Sequence, residues 1–263
     1  MRRSSFLFGV ILLFLGALLF ADSAGFRLPG GARLSEFFWP IVLIFAGAWI
    51  IFGVLTRSKP ETEQASVDLQ GAREATVRLS HGAGELKISS GAGAGQLANG
   101  KFVGGLVQHS RRFGDGLEVK MRPPHEPFNF FNGFERYDWN VHFNSDVPLA
   151  LKLSTGADNA QIDLRDLRVT SLKLETGASQ TKVTFPARGR LTADFDLGAA
   201  GLELIVPDGV SARIRVSQGV SSVNVDESRF PRVGGIYKSP DFESATNAID
   251  MTIDAGAADI KIR

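Results

Sequence analysis

The stretch Leu149-Ala-Leu-Lys-Leu-Ser-Thr-Gly-Ala-Asp-Asn-Ala-Gln-Ile162 carries the pattern that decides the fold of this chain. Apolar residues recur at every second position on both sides of Gly156, and the positions between them are mostly polar. Alternation with a period of two predicts two β-strands, each with one buried face. We expect Gly156 to mark a turn where the chain reverses, because glycine adopts a positive φ there without steric cost.

The same pattern occurs six times, each time around a Gly-Ala or Gly-Val pair, and the middle four copies are spaced by 21 residues. One unit cannot bury its apolar face alone, so units at a fixed period are expected to stack around a shared core. The spacing predicts a mostly β fold, a single-stranded, right-handed β-solenoid-like repeat domain. An antiparallel sandwich with evenly spaced hairpins is the alternative. The predicted repeat turns are Gly82, Gly156, Gly177, Gly198, Gly219 and Gly256.

The composition of the 263-residue chain limits the classes of function it can have. The absence of cysteine excludes disulfides, thiolate metal sites and a cysteine nucleophile. The formal net charge is +1, and the part after residue 59 carries a slight excess of acidic residues. Because no basic cluster stands out along the sequence, nucleic-acid binding is not expected.

Two uncharged apolar segments near the N-terminus, residues 6–21 and 37–55, predict membrane attachment. The second is long enough to cross about 30 Å of hydrocarbon as a helix. We expect a transmembrane hairpin over residues 1–58, with helices at about 5–21 and 37–55. Basic residues flank both outer ends, which favours a multi-pass protein of the cell membrane with both termini and the C-terminal domain in the cytoplasm. The first segment also fits a cleavable signal peptide.

Beyond the hairpin, the pattern predicts a linker at residues 59–65 and one β-repeat domain at 66–263. Two insertions interrupt the repeats, at residues 122–139 and at 227–247. The last unit runs to Arg263, so we expect the C-terminus to be a closing strand of the stack rather than a loose tail.

The first insertion is rich in aromatic residues between prolines, and two interpretations are open. An exposed aromatic surface would suit a protein partner or the membrane interface. Packed over an open end of the stack, the same residues would form a cap, which repeat arrays require, and the cap is favoured. The candidate contact residues are Phe128, Phe130, Phe131, Phe134, Tyr137 and Trp139.

In their order along the chain, several segments resemble the LiaF-like proteins of the bacterial cell-envelope stress response. The N-terminal hairpin, with Trp39-Pro40, is similar to the LiaI/LiaF-type transmembrane region. The remainder resembles the toast-rack domain through His81-Gly-Ala-Gly-Glu-Leu-Lys-Ile88, Val147-Pro-Leu-Ala-Leu-Lys-Leu-Ser-Thr-Gly156 and residues 237–248. The resemblance implies a protein without catalytic residues, which acts in the membrane and restrains a sensor histidine kinase.

The residues themselves indicate no catalytic, metal or cofactor site. The glycine run Gly91–Gly95 is not followed by the helix and the Lys-Ser/Thr pair of a phosphate-binding loop. Asp194 and Asp196 alternate along one strand, which is typical of a solvated face, and His81 is interpreted as a turn histidine. The histidines lack the spacing of metal ligands; they are His81, His109, His125 and His142.

The leading hypothesis is a non-enzymatic, membrane-anchored regulator of the cell-envelope stress response. Its expected partners are the lipid bilayer and a membrane protein such as a sensor histidine kinase, with no cofactor and no nucleic acid. A self-associating membrane scaffold is one alternative. An extracytoplasmic, adhesin-like binding module is the other.

Overall fold

The computed structural model describes residues 62–124, 128–129, 133–134, 137–219 and 222–263, with helical positions at 16, 20, 40, 42–44 and 47. Within this described part, no helix is long and apolar enough to cross a membrane. The predicted transmembrane hairpin lies almost entirely outside it and stays a prediction. The chain divides into two units, Met1–Lys59 with Phe128–Gly133 and Pro60–Pro127 with Phe134–Arg263; the second contains the large β-sheet.

Strands account for most of the described residues. Fifteen belong to one extended sheet, and two short ones lie outside it. The strands are β1 (Thr62–Asp68), β2 (Glu74–Ser90), β3 (Gln96–Val103), β4 (Val107–Phe113), β5 (Gly116–Arg122), β6 (Phe128–Asn129), β7 (Gly133–Phe134), β8 (Tyr137–Phe143), β9 (Leu149–Asp163), β10 (Val169–Thr176), β11 (Gln180–Thr184), β12 (Arg190–Ile205), β13 (Ser211–Gln218), β14 (Ser222–Val225), β15 (Arg232–Val233), β16 (Ile236–Lys238) and β17 (Ala248–Ile262).

Each repeat forms a coil of two arms that meet at its glycine. In β9, every second residue is buried up to Thr155 and again from Asp158, whereas Gly156 and Ala157 are both exposed. Two successive outward residues form a corner, so both arms keep their buried faces toward the same interior. The predicted reversal turns are therefore wrong. The glycines lie at corners, and none of the six has a positive φ.

The coils stack in parallel, with equivalent positions side by side. On the first arms Leu79 is aligned with Leu153, and Leu153 with Leu174. On the second arms Ile88 is aligned with Ile162. These apolar ladders form the core between the arms, where each of the five side chains is at most 2% exposed. The mostly β, repetitive architecture predicted from the 21-residue spacing is confirmed.

The order of the coils in space differs from their order in the chain. The C-terminal strand β17 lies between β12 and β13, where Ile253 is aligned with Phe195 on one side and Val216 on the other. The expectation of a closing C-terminal strand is therefore wrong. The insertion at 227–247 is long enough to take the chain past the fifth coil and back into the stack. If each coil is named by its corner glycine, the coils are stacked in the order Gly82, Gly156, Gly177, Gly198, Gly256 and Gly219.

Irregular segments flank both ends of the stack. At one end, β8, β3 and β1 extend the second arms beyond β2, and the β4–β5 hairpin extends the first arms. At the other end, the second insertion places β16 beside β13 and buries Phe230 completely. Arg229 holds this segment by donating to the carbonyl oxygens of Val206 and Pro207, at 2.8 and 3.0 Å. At this end the cap is therefore the second insertion rather than the aromatic one.

The domain begins earlier than predicted. Residues 62–65, assigned to the linker, belong to β1, which pairs antiparallel with β3. Of the residues in β1 only Val67 is buried, because β1 is an edge strand with one pairing partner. Its mostly polar sequence therefore resembles a linker.

Candidate interaction surface

The front face is the outward side of the first arms together with the β4–β5 hairpin that extends them. Basic side chains lie in register across five neighbouring strands of this face. Strand pairing aligns His109 with Lys120, Lys120 with Arg78, Arg78 with Lys152, and Lys152 with Lys173. All five residues are exposed. We call His109, Lys120, Arg78, Lys152 and Lys173 the basic row.

Like charges directly opposite each other on neighbouring strands, about 4.8 Å apart, destabilise a sheet. The row is only partly neutralised within the chain. Arg78 donates to Glu118 at 2.8 Å, and Lys173 pairs with Glu175 at 2.6 Å. The hydrogen bond that Lys173 donates to Glu175 raises the pKa of Lys173. Lys120 and Lys152 have no ion-pair or hydrogen-bond partner among the described residues, so the row keeps a net positive charge.

The neighbouring coils carry the opposite charge on the same face. Glu175 is aligned with Asp196, and Asp196 with Asp254, while Asp194 lies two residues before Asp196 and is aligned with Lys173. Within the described part of the chain, the three aspartates have no hydrogen bond or ion pair. We call Glu175, Asp194, Asp196 and Asp254 the acidic patch.

Asp250 lies on the same face of β17 as Asp254 but does not belong to the acidic patch. Arg213 donates side-chain hydrogen bonds to this carboxylate, and Arg215 adds one at 2.9 Å. These contacts, with that from Arg213 the strongest, lower the pKa of Asp250. Asp250 is therefore neutralised locally and does not add to the unpaired charge of the face.

A shallow groove crosses the front face beside the basic row. Arg78 and Lys152 form part of its wall, together with the aligned pair Thr76 and Ala150, and Phe113 lies at the hairpin end. Phe113 is 51% exposed, and the guanidinium carbon of Arg111 lies 4.6 Å from the centre of its ring. The groove therefore combines the cations with one exposed aromatic ring and with the carboxylates of Glu74 and Glu118.

The corners of the first coils enclose a second polar feature. His81 and Asp158 are buried in neighbouring coils, with His81 Nδ1 3.3 Å from Asp158 Oδ2 and His81 Nε2 3.0 Å from the carbonyl oxygen of Tyr137. The interpretation of His81 as a turn histidine is wrong. His81 lies within β2, directly before the corner at Gly82, and its side chain is buried. No group of three or more potential metal ligands occurs in the part of the chain that the structure describes.

The aromatic contact residues predicted from the sequence separate. Tyr137 and Trp139 lie in β8, between β2 and β3, and are 0% and 1% exposed because their side chains belong to the buried core. They are therefore core residues and cannot form a contact surface. Phe128 and Phe134 lie in the short strands β6 and β7, and Phe130 and Phe131 fall outside the described residues. For these four the contact role stays a prediction.

The basic row could not be found by reading the sequence. Its five residues are scattered between positions 78 and 173, and only the pairing of five strands brings them together. Asp194 and Asp196 were visible as a solvated pair. Their alignment with Asp254 depends on the insertion of β17 beside β12.

Comparison with known proteins supports the fold. The family model for the N-terminal domain of toast_rack, DUF2154, matches residues 56–205. No curated protein matches the chain.

Two solved structures are similar. The crystal structure of a candidate cell adhesion protein from Clostridium sporogenes is 24% identical, with a TM-score of 0.65, covering 78% of this chain and 100% of that one. That of a candidate adhesin from Bacteroides fragilis is 9% identical, with a TM-score of 0.31, covering 79% and 98%.

Proposed function

The chain belongs to the family defined by the N-terminal domain of toast_rack, and from this premise we propose that it is a non-enzymatic, membrane-anchored interaction protein. In this proposal the coil stack is a rigid scaffold whose front face binds a protein partner. The apolar segments 6–21 and 37–55 support membrane attachment. The resemblance to LiaF-like proteins supports a role in the cell-envelope stress response, with a sensor histidine kinase as the partner.

The acidic patch is the observation that carries the proposal. Holding Glu175, Asp196 and Asp254 in register costs stability, because like charges directly opposite each other destabilise a sheet. A basic surface on a partner would relieve this repulsion and would be attracted from a distance. We therefore place the protein-binding site on the acidic half of the front face, and expect the partner to present lysine or arginine side chains there.

The proposal predicts that neutralising the patch strongly reduces partner capture. The variant Asp194→Asn, Asp196→Asn, Asp254→Asn removes three charges from exposed side chains, so the domain is expected to stay folded. Full-length protein crosslinked in native membranes should recover a membrane protein, and the variant should recover at least about tenfold less, because rim charges govern association.

The control variant removes the same charge elsewhere. Asp68→Asn, Asp208→Asn, Asp259→Asn changes three exposed aspartates that lie off the front face. It should capture the partner as well as the unmodified chain. Equal recovery with both triple variants would overturn the assignment of the site. Recovery of no protein other than the chain itself would overturn partner binding.

Self-association is the second candidate, because one face carries both a basic row and an acidic patch. The basic row of one copy would then lie against the acidic patch of another, and crosslinking would recover only this chain. The adhesion-like alternative draws on the description of the Clostridium sporogenes protein and requires the domain to lie outside the cell. A topology reporter fused after Arg263 separates this alternative from the proposed function. We expect the reporter to show that the domain lies in the cytoplasm, whereas the adhesion-like alternative requires the opposite side of the membrane.

A further inference from the structure

The basic row lies beside the strand at which the chain enters the domain. Chain entry is at β1, and the β4–β5 hairpin is linked to this strand through side chains. The amide of Leu106, just before β4, donates to Glu63 Oε2 at 3.0 Å, and Gln108 Nε2 donates to the carbonyl oxygen of Ser66 at 3.3 Å. The hairpin supplies His109 and Lys120 to the row. The row therefore begins close to the point where the domain is tethered.

The tether is short. The second apolar segment ends at Leu55 and β1 begins at Thr62, which leaves six residues between them. Six extended residues reach at most about 20 Å. If the segment 37–55 spans the bilayer, as the proposed function requires, the start of β1 is held within about 20 Å of the headgroups, and the hairpin is bonded to this strand at Glu63.

The chemistry of the row suits lipid headgroups. Its cations lie on the flat outer side of a sheet, about 4.8 Å apart from strand to strand, and Arg111 and Arg122 lie on either side of Lys120 in the hairpin. The exposed ring of Phe113 is at the end of the same groove. The row has no buried apolar centre of the kind that protein interfaces use.

Resting on the proposed membrane attachment, we propose that the basic row docks on the anionic phosphates of the adjoining lipid surface. Each lysine or arginine near an anionic bilayer changes the docking equilibrium by about fivefold. Docking would tilt the front face so that its hairpin end meets the membrane, while the acidic patch, toward the other end of the face, stays free for a protein.

The test uses the full chain in nanodiscs, made either of phosphatidylcholine alone or with 30% phosphatidylglycerol (about a third anionic lipid, an amount chosen to give a clear surface potential). Because the chain has no cysteine, one fluorophore can be attached at Ser80→Cys on the front face, or at Asn224→Cys in the coil farthest from β1. Nitroxide-labelled lipids quench fluorophores that approach the bilayer. We expect quenching at position 80 to rise in anionic discs and fall with added salt, and quenching at position 224 to change little.

Two triple charge variants test whether the basic row causes the quenching at position 80. Arg78→Gln, Lys120→Gln, Lys152→Gln should weaken docking on the order of 100-fold and return quenching at position 80 to its level in phosphatidylcholine. Lys87→Gln, Lys182→Gln, Lys261→Gln removes the same charge from the outward side of the second arms and should leave quenching unchanged.

Two outcomes would overturn the inference: equal quenching in both lipid compositions, or equal loss in both charge variants. If the row variant loses partner capture while quenching never depends on anionic lipid, the row binds an acidic protein instead. A chain that fails to co-purify with the nanodiscs would refute the membrane attachment itself. Co-purification without lipid dependence would refute only the docking.

Discussion

Replacing Gly156 by alanine is expected to destabilise the domain by about 3 kcal/mol, through overpacking between two coils. A Cβ at this corner would lie 2.5 Å from the carbonyl oxygen of Gly82 in the coil beside it. Backbone cannot rotate away from such a contact, so the two coils have to separate and their parallel hydrogen bonds lengthen. Urea unfolding of residues 60–263 measures the loss.

The corner glycines should also form a graded series. The corresponding distances to the neighbouring carbonyl oxygen are 2.8 Å at Gly198 and 3.2 Å at Gly177, so the cost of alanine should fall in that order. Gly116→Ala is the control, because its Cβ would meet nothing nearer than 3.5 Å and its φ is not positive. A Gly156→Ala domain as stable as the Gly116→Ala domain would show that close stacking is not the reason for glycine at the corners.

Replacing His81 by alanine is expected to cost about 3–5 kcal/mol, because it leaves the Asp158 carboxylate buried without a partner. Both ring nitrogens of His81 face acceptors. Nε2 donates to the carbonyl oxygen of Tyr137, and Nδ1 lies 3.3 Å from Asp158 Oδ2. The histidine ring also packs edge-on against Trp139, at 5.5 Å between ring centres. Urea unfolding at neutral pH measures the effect.

Asp158→Asn serves as the matched variant. Its amide can donate to Nδ1 of a neutral imidazole while Nε2–H continues to bond Tyr137, so the polar contact survives without charge. We expect a loss of about 1 kcal/mol, the difference between a hydrogen bond to a charged group and a neutral one. Equal losses for His81→Ala and Asp158→Asn would contradict the view that an unpaired buried charge causes the larger effect.

The coil itself could be predicted from the sequence, because its physical cause is local. The alternation around Gly156 reports directly which side chains are buried in β9. The role of the glycine could not be predicted, because it depends on the carbonyl of Gly82 in another coil, 74 positions away. The same alternation is compatible with a reversal turn or a corner, and only the neighbouring coil distinguishes them.

The order of the coils was beyond prediction for a related reason. Each coil offers neighbours the same apolar ladder, so Phe195 can be aligned as well with Ile253 as with Val216. The choice depends on the insertion that includes β15 and β16, which has no repeat pattern. Asp254 joins the acidic patch only because β17 lies beside β12. The composition of the patch therefore could not be predicted from the sequence either.

Site-specific photocrosslinking in native membranes tests the central claim, that the front face is where this protein binds its partner. A photoreactive amino acid at Thr192 lies on the exposed front face beside Asp194, and one at Gln161 lies on the outward side of a second arm. The account predicts a discrete adduct with another membrane protein from position 192 and none from position 161. Adducts of equal yield from both positions, or from position 161 alone, would contradict it.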